Sequence, residues 1–527
     1  MKPMHLSDVA RMTGGRLHGA DVVVDAIATD TRALPAAGAA LFIALKGERF
    51  DGHEHLAAAP VAGAIAAALV SRVVAGDLPQ VVVADTQRAL AAFAAAVQRD
   101  RDTRVIAITG SNGKTSVKAL LLAILELATQ RAGTAVYANP GNRNNEIGLP
   151  LAVIDAPDDA AFAVYEMGAG KPGDIAYLTA IARPDVALVN NIAPAHLERM
   201  GSLLGIADTK AAVYDALPPD GVAVINADDA FAPYFAERAH GRQLIRFGLD
   251  ASADITARAI RPIAGGSQFT LVTPAGTAAI ALAMPGRHNV RNALAAASVA
   301  SGLGVTLDEI AAGLNAAQPV SGRLITHRLG DGALLIDDSY NANPGSLAAA
   351  IDTLADMGGD RGSEAWLVLG DMRELGADAA AMHAEAGRRA RAAGIARLYA
   401  LGALSRAAAD AFGDGARVFA DHAALATALA ADLRGRAGEA PAPTPAAAGR
   451  AGAGAPPADA PSTEAAPTNV RVLVKGSRGS AMDRIVAALL ADTTHAADQG
   501  DAARLHAASS GLRDEERPPG PENTDAA

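Results

Sequence analysis

The sequence predicts a three-domain α/β protein whose central and C-terminal parts are open, mostly parallel, doubly wound sheets. Three observations predict it. The chain has 527 residues, and ordinary domain sizes divide that length into about three cores. From residue 105 onward, strand-like runs ending in polar turns alternate with helical periodicity, the pattern of parallel sheets covered by helices. Half of the residues are apolar but only 3% are aromatic, a composition suited to Ala-rich helices packed on sheets.

The elements follow in order. Residues 1–85 form a first domain of short strands, "ALFIALKG" and "VVVADT" among them, with one or two helices. A helix from about Gln87 to Arg99 leads into the second domain, 86–318. Its strands are "VIAIT", "FAVYEMG", "DVALVNNI" and "GVAVINADD". Within it, "DITARAIRP", "SQFTLVTP" and "GTAAIALAMPG" lack helical periodicity and read as an antiparallel insertion. The third domain, 319–492, has strands in "GALLIDDSYNANP", "EAWLVLGDM", "RLYALG", "ARVFADH" and "VRVLVKGSRGS". Ligands of such a sheet gather at its strand C-termini. The Pro-, Ala- and Gly-rich stretch 436–468 is predicted to be a disordered, dispensable insertion, and 493–527 a disordered tail.

Composition narrows the function. The formal net charge is −11 with no basic run, which argues against nucleic acid as a partner. There is no cysteine, so disulfides, thiolate metal sites and a cysteine nucleophile are excluded. The N-terminus lacks the apolar core of a signal peptide. The most apolar run is broken by Pro60 and Gly63 and ends at Arg72, so no membrane span is expected. A cytoplasmic protein, most simply a monomer, is the expectation.

The chemistry begins at "VIAITGSNGKTSVKALLLAIL", residues 105–125. The strict phosphate-loop pattern requires glycine where Ile108 stands, so the formal motif fails. The physics survives in Gly110, Ser111, Asn112, Gly113, Lys114, Thr115 and Ser116 between a strand and a helix. Two glycines permit a tight turn with amides facing an anion, and the helix start adds partial positive charge. Lys114 can neutralise a β/γ-phosphate and Thr115 can hold Mg²⁺. The loop points to a nucleoside triphosphate but to no particular reaction. Three further residues are candidate metal ligands: Glu166 after a strand, His196 after another, and Lys210 on a helix beginning shortly afterwards. Taken singly, each reads equally as a solvated carboxylate, a loop histidine and a solvated helix lysine.

The order of the pieces is more specific. "TGSNGKTS", "NPGNRNNEIGLP", "YEMGAGKPGDI", "NNIAPAHLERMGS", "ADTKAAVY", "GRHNVRNALAAAS", "SGRL" and "DDSYNANPGS" together resemble the Mur ligase family, from about Leu6 to about Leu490. The family's loop is normally Thr-Gly-x-Asn-Gly-Lys-Thr, which accounts for the failed strict pattern. The resemblance implies ATP-dependent amide formation with Mg²⁺, in peptidoglycan precursor synthesis. The implied substrates are UDP-N-acetylmuramoyl-tripeptide and D-alanyl-D-alanine. It also implies a UDP-substrate domain (1–85), an ATP-binding domain (86–318) and a Rossmann-like ligase domain (319–492).

Carried over residue by residue, Lys114 binds the phosphates and Thr115 the first Mg²⁺ with Glu166. His196 helps hold a second, and Lys210 matches a lysine that several members carbamylate. Asn289 and Asn292 meet the adenine, Arg323 the γ-phosphate and Asp338 the ribose. Asn142, Asn144, Asn145 and Glu146 lie near the muramoyl peptide, with Tyr340, Asn341 and Asn343 lining the same crevice. Thr31, Arg32 and Lys46 face the UDP group, and Asp371, Glu374 and Lys475 the incoming dipeptide. The "GDMRELG" and "KGSRGS" turns also read as ordinary polar strand ends. A folylpolyglutamate synthase begins near its phosphate loop, whereas about 100 residues precede it here. A sister ligase adding a diamino acid would carry an Asp-Asn-Pro-Arg-type stretch, which is absent. A GTPase would carry Asn-Lys-x-Asp, also absent. A nucleotide-binding regulator would have no use for the full metal set.

Overall fold

A computed structural model describes the chain except residues 36–37, 57–64, 131–132, 264, 331, 358–362, 438–469 and 493–527. The predicted tail and most of the predicted insertion lie outside the described residues. The insertion's first two positions, 436 and 437, complete the helix His422–Ala437.

The first sheet has five strands in the order 16–18, 80–82, 65–70, 40–43, 26–28. Only the first pairing is antiparallel. Its neighbour in sequence is the helix Thr86–Arg99, capped by Asp85, whose carboxylate accepts from the amides of Gln87 and Arg88. Such a cap contributes about 1 kcal/mol. One apolar cluster runs without a break from Leu6, Leu41 and Ile43 through Phe93 to Leu149 and Tyr165. The first sheet and the next therefore share a core.

The central sheet consists of β1 (Arg104–Thr109), β2 (Ala135–Ala138), β3 (Ala160–Glu166), β4 (Val186–Val189), β5 (Val222–Asn226) and β6 (Gln243–Phe247). The spatial order is β6-β5-β4-β1-β3-β2, and every pair is parallel. Its strands are almost continuously apolar, as a sheet covered on both faces requires. The chain leaves β1 toward β2 and β3 and returns on the other side at β4. The crevice at a reversal of this kind, outside the strand C-termini, is where open sheets bind ligands. Residues Gly110, Glu166 and Asn190 lie there.

Four helices matter for the site: α1 (Lys114–Gln130), α2 (Asp174–Ala182), α3 (Leu203–Asp215) and α4 (Arg287–Gly302). The predicted antiparallel insertion is present as three strands between Thr256 and Leu282. The helix expected to carry Lys210 shortly after His196 is α3, which starts at Leu203. Ser202 sets that start, because its hydroxyl accepts from Gly205 N at 3.0 Å.

The C-terminal sheet contains β7 (Ile325–Arg328), β8 (Leu334–Asp338), β9 (Glu364–Gly370), β10 (Arg397–Leu401), β11 (Ala416–Phe419) and β12 (Val470–Lys475). Its order is β7-β8-β12-β9-β10-β11, parallel except for the edge strand β7. The single tryptophan, Trp366, is fully buried in β9.

The chain forms two compact units. The first comprises 1–320 together with 343–357, which holds helix α5 (Pro344–Asp356), and 373–382. The second comprises 321–342, 358–372 and the chain from 383 onward. Among the described residues no helix is long and apolar enough to cross a membrane.

Candidate active site

The first unit builds its site on the turn between β1 and α1. Gly110 has φ +143° and Gly113 φ +79°, values that favour glycine. Space demands it too: a Cβ on Gly113 would lie 2.4 Å from Asn292 Oδ1 and 2.5 Å from Asn190 Nδ2. The turn is tied to the chain leaving β4. Ser111 N donates to Asn191 O and Asn112 N to Asn191 Oδ1, both at 2.9 Å. Asn112 O accepts from the side-chain amides of Asn190 and Asn191 at 2.9 and 3.0 Å. Ser111 Oγ bonds Ala193 O and accepts from Ala193 N, each at 3.0 Å. The amides of Ser111 and Asn112 are thus engaged by the protein. What the turn offers an anion is the start of α1 at Lys114, with the partial positive charge of a helix N-terminus. Lys114 Nζ donates to Gly110 O at 2.8 Å, curled over the mouth of the turn.

Glu166, the last residue of β3, reaches the same mouth. Thr115 Oγ1 donates to its Oε2 at 3.0 Å and Asn144 Nδ2 to its Oε1 at 3.0 Å. Lys118 Nζ stands 3.4 Å from the carboxylate and donates to Asn139 O at 3.0 Å. Burial would raise the Glu166 carboxyl, but Lys114, Lys118 and the bonds from Thr115 and Asn144 hold it below its ordinary value. An ionised carboxylate and a hydroxyl therefore converge beside an anion cradle. Mg²⁺ is commonly bound this way, through one carboxylate and substrate phosphates. The described residues contain no closed cage of three or more His, Cys, Asp or Glu, which is in keeping with such a shared site. The residues present fit the ion.

Lys210, in the middle of α3, is 3% exposed, so the solvated reading of this lysine fails. Burial and the neighbouring Lys114 push its ammonium well below the ordinary lysine value, against Asp174. Loss of the ammonium proton is what addition of carbon dioxide to a lysine requires, and burial acts in that direction. His196 has a left-handed backbone, φ +55°, and its Nδ1 lies 2.5 Å from Glu374 Oε2, on a residue likewise at positive φ (+63°). Burial lowers the imidazole, with Lys210 and Lys114 acting the same way against Glu374. Strained backbone at both ends of one ion pair marks a position held for a purpose.

Asn289 and Asn292, on α4, are buried behind the loop rather than displayed. Asn292 Nδ2 donates to Asn289 Oδ1 at 3.2 Å, and Asn292 Oδ1 accepts from Asn190 at 3.0 Å. Asn145 Oδ1 accepts from Gly148 N at 2.8 Å, at the start of the helix Gly148–Asp155. Asn142 is exposed on the same turn, and Glu146 half-buried. Asn343 is the N-cap of α5 and bonds Asn112. Thr31, Arg32 and Lys46 follow the adjacent parallel strands 26–28 and 40–43, so they share one end of the first sheet. Arg32 pairs there with Asp30 at 2.7 Å. At that end His53 also links Asp51, at 2.5 Å, to Ser71 N, which donates to Nε2 at 2.9 Å.

The second unit gathers its candidates at the ends of β8 and β12. Lys475 Nζ meets Asp338 Oδ2 at 2.5 Å and Asn341 O at 3.0 Å. Burial pushes the Asp338 carboxyl up, and the Lys475 ammonium opposes that push. The Arg323 guanidinium lies 4.5 Å from the centre of the Tyr340 ring, and that of Arg478 5.3 Å, within cation–π range. Asp371 is occupied: its Oδ1 accepts from Ser405 N at 2.7 Å and Ser405 Oγ at 2.8 Å, fastening β9 to the next helix but one.

Sequence reasoning missed Lys118, Asn139, Asn190 and Asn191. Lys118 had a signal, because it lies one turn after Lys114 on the same helix face. The asparagines had none without the strand order.

Comparison with known proteins agrees with this geometry. Residues 108–300 match the family model described as Mur ligase middle domain, and 322–439 the one described as Mur ligase, glutamate ligase domain. The chain is 42% identical over 485 residues to the UDP-N-acetylmuramoyl-tripeptide–D-alanyl-D-alanine ligase of Escherichia coli strain K12, covering 92% of this chain and 98% of that one. The enzyme of the same name from Haemophilus influenzae is 40% identical over 370 residues, covering 70% and 78%. The crystal structure of MurF from Acinetobacter baumannii superimposes with a TM-score of 0.81 at 30% identity, covering 93% and 99%. With both family models matched and the Escherichia coli relative, 42% identical, spanned over 98% of its length, the chain belongs to the Mur ligase family.

Proposed function

We propose that this protein joins D-alanyl-D-alanine to UDP-N-acetylmuramoyl-tripeptide at the expense of ATP, in the cytoplasm and as a monomer. The observation that carries the reading is the Thr115–Glu166 pair at the mouth of α1. It stands in a chain aligned along 98% of a relative named for that reaction. On this reading residues 1–85 hold the UDP-linked substrate, 86–318 the ATP and 319–492 the dipeptide.

The tripeptide's terminal carboxylate attacks the γ-phosphorus of ATP, forming an acyl phosphate and releasing ADP. The dipeptide amine then attacks the acyl carbon, and inorganic phosphate departs with one former carboxylate oxygen. Nothing in this sequence requires a protein nucleophile, in keeping with a chain without cysteine. The difficulty is repulsion between a carboxylate and a triphosphate. Lys114 and the helix-start amides offset it on the nucleotide side, and Arg323 is assigned to the γ-phosphate. Mg²⁺ would be held by Thr115 and Glu166, with His196 and a carbamylated Lys210 serving a second ion, and supplies charge neutralisation when bound. Asp338 is assigned to the ribose. Asn289 and Asn292 serve the adenine end of the nucleotide, and support the loop from behind as well. Thr31, Arg32 and Lys46 are assigned to the UDP group, and Asn142, Asn144, Asn145 and Glu146 to the peptide. Tyr340 and Asn341 are assigned to the same crevice as that peptide, and Asp371, Glu374 and Lys475 to the incoming dipeptide.

The test is phosphate release from Mg-ATP with the UDP-linked tripeptide, with and without D-alanyl-D-alanine. Release that requires both peptides is expected. Release at the same rate without the dipeptide would overturn the assignment of the acceptor.

A further inference from the structure

Asn343 is used twice in the structure. Its Oδ1 accepts from Ser346 N at 2.9 Å, which caps α5. Its Nδ2 donates to Asn112 Oδ1, in the phosphate loop, at 2.7 Å. Gly345 allows the approach, since a Cβ there would lie 3.1 Å from Ala193 Cβ and 3.2 Å from Asn112 Nδ2. Asn112 is in turn the most firmly tied residue of the turn. Its N–H is held by Asn191, and its carbonyl by Asn190 and Asn191. A shift of the loop therefore reaches the first turn of α5 through one hydrogen bond.

We infer that Asn343 is a positioning residue that latches the start of α5 to the phosphate loop, so that occupancy of the loop by nucleotide and the placement of the first turn of α5 are coupled. The inference rests on the ATP site proposed above. Both polar ends of the side chain are engaged, Oδ1 by the cap and Nδ2 by the loop.

The test is the affinity of a non-hydrolysable ATP analogue with both peptides absent. Asn343→Ser keeps a capping hydroxyl but is too short to reach Asn112. Its nucleotide binding should weaken about 3- to 10-fold, the worth of a neutral hydrogen bond. Asn112→Ala should weaken binding by at least as much, and adding Asn343→Ser to it should cost nothing further, because the two losses are one contact. Affinity for the UDP-linked tripeptide, measured without nucleotide, should not change. Unchanged nucleotide affinity in Asn343→Ser, additive losses, or a loss confined to peptide affinity would each overturn the inference. If Asn343→Ser does not fold, Gly345→Val serves, since it leaves the Asn343 side chain intact and pushes the helix start off the loop. The same weakening is expected, and unchanged affinity would overturn the latch. Lys114→Ala in the same assay separates the two readings. If that variant binds the analogue as well as wild type, the ATP site itself is wrong, whatever Asn343 does.

Discussion

Lys114→Ala should abolish nearly all phosphate release while leaving the protein folded. Lys114 is the cation at the mouth of the β1–α1 turn, 2.8 Å from the Gly110 carbonyl, and it also helps keep Glu166 ionised. Removing one such charge from a phosphoryl-transfer site costs about 10²–10³ in kcat, an effect of preorganised electrostatics. Alanine is the best helix former, so α1 should still start where it does. The two effects are read separately, by steady-state phosphate release and by the thermal unfolding transition. A variant with kcat within a few-fold of wild type would remove Lys114 from the chemistry.

Lys475→Met should have the largest effect on stability. Lys475 is 3% exposed and its ammonium is 2.5 Å from the buried Asp338 carboxylate, across the parallel pair β8–β12. Breaking a buried pair from one side leaves an uncompensated charge and costs about 3–5 kcal/mol. Asp338 keeps only the more diffuse influence of Arg323. Trp366 is the sole tryptophan and lies in β9, which pairs with β12. Its fluorescence therefore reports unfolding of this sheet alone, and its denaturant midpoint should fall. Lys475→Met combined with Asp338→Leu should recover most of the stability, because no charge is left buried, yet remain inactive. An unshifted midpoint in the single variant would contradict the pairing.

How much of this was legible depended on sequence separation. The strand–turn–helix around Gly110–Thr115 was readable because it is local: four apolar residues, two glycines and an unbroken helix follow one another. Many strands were readable for the same reason, as short apolar runs ending in polar turns, but 16–18, 26–28, 65–70, 135–138, 243–247 and 325–328 were not read as strands. Glu166 and Asp338 could be placed at strand ends, but their partners could not. Whether Glu166 meets Lys118, or Asp338 meets Lys475 137 residues away, is decided by strand order, which no periodicity encodes. The same holds for Asn190 and Asn191, which reach the loop only because β4 lies beside β1. Asp371 is a related case. Its turn reads as a strand end, but nothing local shows that its Oδ1 also accepts from Ser405, 34 residues on. Lys210 shows the converse: an ordinary helix lysine in sequence, it is buried once α3 packs against the sheet.

The most direct measurement uses UDP-linked tripeptide carrying ¹⁸O in its terminal carboxylate, with ATP, Mg²⁺ and D-alanyl-D-alanine. If the carboxylate is the phosphoryl acceptor, each inorganic phosphate released carries one oxygen from it, and ¹⁸O should appear in the phosphate in step with amide formation. Phosphate free of the label, with all ¹⁸O left in the peptide, would mean that water and not the carboxylate receives the phosphoryl group, and would contradict ligation through an acyl phosphate at this site.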